Sequence, residues 1–299
     1  MLRKGLKRKP VAESEATGRT REIYAEIKSA LGVPYVDVVF QAYGAYPEFL
    51  DLLWTSVEPA LQTREFFALA ERLRADAYTR VHSYLAVPDF CKPIAELRFS
   101  EGARKELTET AELFYYSDPI LLMLSAAMFQ AFDQPLGHKV RPQPGPRPIF
   151  QRLPLFIPEP TAPPITRRIY DDIVRTAGTP VVNTAYRAFA RWPDFLAHYW
   201  SVLRPITNSA VYHESLFGVN DTAMALAQEL PVVLDLQLQR MEQAGIGDQA
   251  AQDIQGMTKI FVHSLAGLVL NVAIAKVGLE GGTSVGRLQH AKAFAKKVA

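Results

Sequence analysis

The feature that most constrains the fold of this 299-residue chain is a segment that occurs twice, 146 residues apart. The first copy, residues 32–50, reads GVPYVDVVFQAYGAYPEFL, and the second, residues 178–196, reads GTPVVNTAYRAFARWPDFL. An ungapped alignment of 20–59 with 166–205 gives fourteen identities in forty positions. Two copies are too few for a solenoid, so the repeat predicts a pseudo-twofold pair of packed units.

The two copies differ at the turn inside the segment. The first carries Asp37, Val38 and Val39 where the second carries Asn183, Thr184 and Ala185. The apolar frame around the turn is kept while the polar residues change. This contrast indicates that the two units share a structure and differ in chemistry.

Each unit is predicted to consist of helices. Ile23, Ile27 and Leu31 follow one another at four-residue spacing, and Gly32 ends the pattern as a helix C-cap residue does. Residues 63–85 continue the helical period over several turns. No segment alternates polar and apolar residues over more than a few positions, so we predict an all-α fold.

A proline-rich stretch separates the two units. Residues 135–164 contain ten of the 21 prolines, a density that excludes a helix or a central strand and predicts an extended linker. The predicted organisation is a basic N-terminal segment (1–19), a first repeat (20–134), this linker, a second repeat (165–280) and a flexible basic tail (281–299).

The composition excludes several classes of partner. A net charge of +2 provides no field for nucleic acid, and the basic ends are predicted to be solvated. A single cysteine, Cys91, fits a reducing compartment. The apolar runs are shorter than the roughly 18–20 residues that span a bilayer. We therefore predict a cytoplasmic protein that binds neither nucleic acid nor membrane.

Common catalytic and metal-binding motifs are absent, and we predict neither a metal nor a cofactor. Residues 282–286 match GxSxG formally, but without the acid that should follow, so a flexible loop is predicted there. His263 is predicted to be a hydrogen-bonded core histidine. Asp118 before Pro119 is typical of a helix start, with a buried general base as the functional alternative, and Asn183 is typical of a cap.

Several separated motifs resemble one known family. The pattern IYxxIxxxxGVPxV followed by PxFLxxxW, the segment NTAYRAFARWP, the Tyr-x-Asp-Pro element and LAGLVLNV are similar to the group I, or DehI-type, 2-haloacid dehalogenases. The resemblance covers about residues 13–280. It implies an all-α pseudo-dimer with its active site between the repeats. It also implies hydrolytic removal of halide from C2 of a short 2-haloacid, by water that an Asp activates.

The resemblance assigns roles to residues one position at a time. Ala185 stands where the family has its catalytic Asp, and Asp118 stands where the family has an Asn. Thr63 matches a family Thr, whereas Phe67 occupies the position of the Glu that follows it. Tyr35 replaces a family Trp.

Three interpretations remain open at this point. Asp118 has become the base, with Asn183 or Thr63 holding the water; or hydrolysis is lost and a pocket for a small carboxylate is kept; or Ala185 is an engineered Asp-to-Ala change. The expected ligand is a 2-haloacid or related carboxylate, and a homo-oligomer is a further expectation. The residues predicted to contact substrate are Tyr35, Val38, Tyr116, Thr184 and Tyr186.

Overall fold

The computed structural model describes residues 6–97, 99–139, 143 and 148–285, and the described chain is built from α-helices. In chain order the helices are α1 (Gly18–Leu31), α2 (Val38–Tyr43), α3 (Pro47–Leu61), α4 (Arg64–Tyr84), α5 (Cys91–Glu96), α6 (Glu101–Ala131), α7 (Pro164–Ala177), α8 (Thr184–Phe189), α9 (Pro193–Thr207), α10 (Ala210–Ala227), α11 (Leu238–Gln243) and α12 (Asp248–Leu279). Leu136 and Leu234 form an isolated antiparallel bridge. The all-α prediction is confirmed.

The two longest helices form the centre of the molecule. α6 packs along α12, and α4 and α10 each pack against both of them. Most of the C-terminal half of α6 is buried, as is most of α12 from Phe261 onward. The shorter helices α2 and α8 lie on this central pair and bring their N-terminal turns towards it.

Helix ends and local hydrogen bonds recur at positions 146 residues apart. The first and last residues of α1, α2 and α3 lie 146 positions before those of α7, α8 and α9. The first residues of α6 and α12 are 147 positions apart. Tyr24 donates to the Val11 carbonyl, and Tyr170 donates to the Ile157 carbonyl, at 2.9 Å in both cases. The same sequence rules therefore produce the same local structure in both halves.

The ends of α1 and α7 show how the sequence sets these bounds. Gly32 and Gly178 follow the last helical residues with φ of 66° and 64°, a left-handed conformation that glycine adopts without a steric cost. A Cβ on Gly32 would lie 2.2 Å from the carbonyl oxygen of Pro148, so this turn also packs against the proline-rich stretch.

Two predictions about helix positions are wrong. Asp118 and Pro119 lie in the middle of α6 and do not start a helix. The proline lacks an N–H and cannot make one helical hydrogen bond, but the helix is buried on all sides there and its packing outweighs that loss. His263 is exposed on α12, whereas Val262 and Ser264 beside it are buried, because the helical period turns only its neighbours inward.

The segments outside the helices make more hydrogen bonds and packing contacts with the rest of the protein than predicted. The proline-rich stretch contains a short 3₁₀-helix, Glu159–Thr161, and the Phe150 N–H donates to the Gly32 carbonyl at 2.8 Å. Leu6 is buried, and the Arg8 guanidinium lies 4.4 Å from the Tyr46 ring centre, so residues 6–17 are not simply solvated. The division into domains remains a prediction.

The C-terminal predictions fall only partly on described residues. Thr283 is buried and its N–H donates to the Val87 carbonyl at 2.8 Å, so the start of the predicted loop is held in place. Gly286, which completes the GxSxG pattern, and the tail at 286–299 lie outside the described residues. Cys91 is exposed as a free thiol.

One described helix, Asp248–Leu279, is long and apolar enough to cross a membrane by length and composition. In its most apolar stretch 78% of the residues are buried inside the protein. The same pattern is found in the core helix of a soluble protein. The expected cytoplasmic location remains a prediction.

Candidate active site

A group of polar side chains, all buried except the half-buried Arg187, lies where the turns before α2 and α8 approach the middle of α6. We call it the buried polar cluster, and its members are Tyr35, Asp37, Ser117, Asp118, Thr184 and Arg187. The Tyr35 hydroxyl and the Ser117 hydroxyl are 2.9 Å apart, and this hydrogen bond joins the first turn to α6 beside Asp118. The cluster therefore brings together chemistry from both halves of the chain.

Asp118 is the most unusual member of the cluster. Its side chain is completely buried, and neither carboxylate oxygen has a hydrogen-bond partner of normal geometry. Burial raises the pKa of Asp118 well above its ordinary value, the negative charge of Asp37 raises it further, and the Ser117 side chain lowers it. Asp118 therefore holds a proton over a wider pH range than an ordinary carboxyl group.

Asp37 is a second buried carboxyl group with better support. It is the N-cap residue of α2 and accepts a hydrogen bond from the Val39 N–H at 2.9 Å. Burial raises the pKa of Asp37, while the Val39 N–H, the Thr184 hydroxyl and the positive charge of Arg187 act in the opposite direction. Of the two carboxyl groups, Asp37 therefore loses its proton first.

Arg187 supplies positive charge beside these acids. One terminal nitrogen of its guanidinium group donates to the Thr184 hydroxyl at 3.4 Å. Its Nε is buried and has no hydrogen-bond partner. A buried donor of this kind is available to an anionic ligand.

Several of the predicted site residues surround the cluster without taking part in its hydrogen bonds. Ala185 is buried with 1% of its surface exposed, and its methyl group offers no polar atom at the position where the family has its Asp. Val38, at the first position of α2, is also buried. The negative charge of Asp118 raises the pKa of Tyr186, although burial is the larger cause, so Tyr186 lies within its electrostatic reach.

Thr63 and Tyr116 are used in other ways. The Thr63 hydroxyl caps α4, accepting from the Phe66 N–H at 3.1 Å and donating to the Ala60 carbonyl at 2.6 Å. The Tyr116 hydroxyl donates to the Leu31 carbonyl at 3.0 Å. The hydrogen bonds of both side chains serve structure, and the structure does not place them in the cluster.

Asn183 and Tyr186 line a different space from the one that Thr184 and Arg187 share with Asp37. Asn183 occupies the N-cap position of α8 as predicted, but its side chain makes no capping hydrogen bond. Both residues line a cavity of about 160 Å³ between α7, α9, α10 and α12, which we call the second-half cavity. Asp118 and Ala185 do not line it.

A chain of buried hydrogen bonds forms part of the wall of this cavity. The Asn271 side-chain amide donates to the Tyr186 hydroxyl at 2.8 Å, and the Tyr212 hydroxyl donates to the Asn271 Oδ1, also at 2.8 Å. The Tyr199 hydroxyl donates to the Asn271 carbonyl at 2.6 Å. This network fixes the orientation of Tyr186.

The sequence analysis assigned no role to Asp37, Arg187 or Asn271. Asp37 had a signal, since it is the acidic member of the Asp37/Asn183 difference between the two copies. Arg187 and Asn271 had none, because their roles depend on packing between distant segments. Within the described residues no group of three or more His, Cys, Asp or Glu side chains is arranged to hold a metal ion.

Known proteins resemble this chain over most of its length. The family model described as halocarboxylic acid dehydrogenase DehI matches residues 34–178. An (R)-2-haloacid dehalogenase from Pseudomonas putida is 27% identical over 273 residues, which cover 88% of this chain and 90% of that enzyme. Another (R)-2-haloacid dehalogenase, from Rhizobium sp. (strain NHG3), is 29% identical over 224 residues, covering 74% and 87%.

The fold is shared with solved structures of the same kind of enzyme. A D-2-haloacid dehalogenase mutant in complex with D-2-CPA superposes with a TM-score of 0.86 at 25% identity, covering 91% of this chain and 95% of that one. A D-2-haloacid dehalogenase in complex with L-LA gives the same TM-score of 0.86. Together the family model and these relatives support membership of the DehI-type family, and the relatives named here are 2-haloacid dehalogenases.

Proposed function

We propose that this chain hydrolyses short 2-haloacids in the buried polar cluster, and that the Asp37–Asp118 pair replaces the base that is missing at Ala185. The observation that carries the proposal is Asp118, a fully buried carboxyl group whose oxygens accept no hydrogen bond of normal geometry. Burying such a group is costly, and groups with strongly perturbed pKa values concentrate at functional sites.

The cluster has the groups that a 2-haloacid requires. The unpartnered Nε of Arg187 is a donor for the substrate carboxylate, and the Thr184 hydroxyl, which accepts from Arg187, lies beside it. The Tyr35 ring lies 5.5 Å from the Phe114 ring and 5.6 Å from the Phe156 ring, which gives the cluster an apolar wall for the carbon chain and the halogen. No metal or cofactor is needed for this step.

The proposed reaction is a direct displacement by water. Asp37, the more acidic of the pair, accepts a proton from water while the water oxygen bonds to C2. The carbon–halogen bond breaks and halide leaves with the electron pair. Asp118 loses its proton at a higher pH than Asp37, so between the two steps the pair carries one negative charge, as two interacting carboxyl groups do when their environments differ.

The position of the cluster supports a second part of the proposal, that the two halves are duplicated units related by a pseudo-twofold axis. The repeated helix bounds and the paired Tyr24 and Tyr170 hydrogen bonds support duplication. The cluster draws Asp37 and Asp118 from one half and Thr184 and Arg187 from the other. A site between the units needs both halves, and divergence of one copy supplies its asymmetry.

Halide release from a panel of racemic 2-haloacids tests the function. We expect release by the wild-type chain and its loss in Asp37→Asn, because general-base catalysis contributes roughly a hundred- to ten-thousand-fold in rate. Asp194→Asn, a change at an exposed acid in the first turn of α9, is the matched control and should leave the rate unchanged.

Ala185→Asp separates the remaining interpretations. One outcome is that the wild type releases no halide while Ala185→Asp does. In that case the cluster is a carboxylate-binding site that lacks only its base, and the proposed reaction is wrong. If neither protein releases halide, this chain acts on other compounds, and its family membership reflects descent. Wild-type release that is unaffected by changes at Asp37 and Asp118 would place the base elsewhere.

A further inference from the structure

The second-half cavity is a separate space from the buried polar cluster. None of the six members of the cluster lines it, and it is lined by residues of the second half of the chain. Its volume of about 160 Å³ is well above the roughly 10–15 Å³ that holds a single water molecule. The space therefore accommodates an organic molecule.

The hydrogen bonds around the cavity leave unused donors. The Tyr186 oxygen accepts from the Asn271 amide, so the Tyr186 hydroxyl hydrogen remains available to a ligand. The Asn183 side chain is 93% buried, with 7% of its surface exposed, and no hydrogen bond is found for its amide among the described residues. Because Asn183 lines the cavity, its amide can hydrogen-bond a ligand there in place of water.

The lining of the cavity offers hydrogen-bond donors and no carboxylate. No Asp or Glu lines it, and the exposed histidines His213 and His263 stand at its edge. A cationic ligand would find no carboxylate here. An acceptor-rich ligand, in contrast, meets the amide of Asn183 and the hydroxyl of Tyr186.

The rest of the wall is apolar and aromatic. Trp200 and Tyr212 are buried in it, and Leu216 and Phe217 complete one side. Aromatic walls bury a flat or branched hydrocarbon body and place few polar demands on it. The cavity thus combines donors for a carboxylate with an apolar chamber for the remainder of the ligand.

We propose that the second-half cavity is a binding site for a monocarboxylic acid with an aryl or branched alkyl body, held by the Asn183 amide and the Tyr186 hydroxyl. The site is distinct from the cluster proposed for hydrolysis, and it does not depend on whether that reaction occurs. It gives the chain a second acid-binding position with a larger apolar chamber.

Isothermal titration calorimetry with phenylacetate tests the site on the full chain. Asn183→Leu is the cleanest variant, because it removes the amide with little change in size and breaks no observed hydrogen bond of that side chain. We expect phenylacetate to bind the wild type with a Kd below about 1 mM and Asn183→Leu to weaken it about tenfold or more, corresponding to at least one lost hydrogen bond.

Two further measurements make the result specific. Gly267→Leu should block the chamber, since a Cβ there already lies 3.3 Å from the Tyr212 hydroxyl and 3.6 Å from Leu216. Phenylacetamide, which lacks the charge, should lose much less affinity in Asn183→Leu than phenylacetate does. Circular dichroism confirms that each variant remains folded.

Asp118→Asn distinguishes this site from the buried polar cluster. Phenylacetate binding that is unchanged in Asp118→Asn and weakened in Asn183→Leu supports the second-half cavity, whatever the halide assay shows. The proposal is overturned if the wild type binds no phenylacetate at about 10 mM, far above the expected Kd. It is equally overturned if binding survives both Asn183→Leu and Gly267→Leu.

Discussion

The buried polar cluster and the second-half cavity are built around turns of the same length with different side chains. The turn before α2 carries Asp37, and the turn before α8 carries Asn183. Asp37 uses its carboxylate to cap its helix, whereas the Asn183 amide leaves the helix uncapped and lines a cavity. At this matching position the first half therefore has a carboxylate that caps its helix, and the second half has an amide that faces a cavity.

The surrounding residues differ in the same direction. Phe40, Phe66 and Phe67 in the first half stand 146 positions before Tyr186, Tyr212 and His213 in the second. The phenylalanines fill space without polar demands, while their counterparts carry hydroxyl and imidazole groups towards the second-half cavity. Helices α1–α3 and α7–α9 of the two halves share their bounds, while the side chains at these matching positions differ in polarity.

The largest effect is expected at the acidic turn. Asp37→Asn makes the first turn resemble the second and removes the more acidic member of the carboxyl pair. We expect the rate of halide release to fall roughly a hundred- to ten-thousand-fold, the usual contribution of a general base. Steady-state kinetics should show the loss in kcat, with KM changed little, because the proposed carboxylate donor, the Arg187 Nε, is unchanged.

The pH profile of the wild type sharpens that result. The pKa of Asp37 is raised by burial, so the rate should increase with pH as Asp37 loses its proton. Asp118→Asn leaves the causes of the raised Asp37 pKa in place, so a persisting ascending limb in that variant would identify Asp37 as the titrating base. An ascending limb that disappears in Asp118→Asn would assign the base to Asp118 itself.

The next largest effect concerns stability at the buried pair. The pKa of Asp118 is raised in the folded chain, so its contribution to stability is complete below the unfolded pKa of about 3.9 and is lost as pH rises towards the folded value. Within that window the slope is about 1.4 kcal/mol per pH unit for one proton. The free energy of unfolding of Asp118→Asn should therefore fall less steeply with pH than that of the wild type.

Urea unfolding between about pH 5 and pH 8 measures this difference. The matched control is Asp194→Asn, because Asp194 is exposed and its removal should leave the pH dependence of the wild type intact. Parallel curves for the wild type and Asp118→Asn would show that Asp118 is ionised or well solvated when folded. That outcome would contradict the buried, unpaired carboxyl group on which the cluster depends.

Local sequence rules predict the frame of this molecule better than its sites. Gly32 and Gly178 end helices as predicted, since a left-handed turn depends on the residue itself. Asp118–Pro119 follows the local rule for a helix start and still lies inside α6, because burial on both sides of the pair outweighs the local preference. Local rules hold where the decisive contacts are local.

The sites depend on contacts between distant segments. Tyr35 and Ser117 are 82 positions apart in the chain, and the Tyr186–Asn271 hydrogen bond spans 85. Spacing along the sequence cannot reveal that Arg187 lies near Asp37. The family resemblance identifies Asp118 and Ala185 because it carries three-dimensional information that a single sequence lacks.

A smaller effect is expected when the cavity wall is made like its counterpart. Tyr186→Phe places in the second half the residue that Phe40 provides in the first, and it leaves the Asn271 amide without its acceptor. We expect a loss of about 1–3 kcal/mol in the free energy of unfolding, the cost of an unsatisfied buried polar group. Thermal or urea unfolding measures it.

Phe40→Tyr is the reciprocal control for this comparison. Phe40 is buried beside Val39 and Tyr43 at a small space of about 10 Å³, so an added hydroxyl would have little room. Phe40→Tyr should also lower the free energy of unfolding, because it adds a group to a packed space, whereas Tyr186→Phe removes one. If Tyr186→Phe costs nothing, the Asn271 network is not a structural requirement, and the hydroxyl of Tyr186 is retained for its ligand alone.

The smallest effect tests whether the two frames are equivalent where their chemistry does not differ. Thr63 accepts a hydrogen bond from the Phe66 N–H at 3.1 Å, and Ser209, 146 positions later, accepts one from the Tyr212 N–H at 3.2 Å. Thr63→Ala and Ser209→Ala should each cost about 1 kcal/mol, the typical value of an N-cap. If Thr63 also holds the attacking water, as one interpretation of the sequence suggests, Thr63→Ala will lower kcat more than Ser209→Ala at equal stability. Equal kcat values in the two variants would limit Thr63 to capping α4, and the acidic chemistry of the first half would then rest on Asp37 and Asp118.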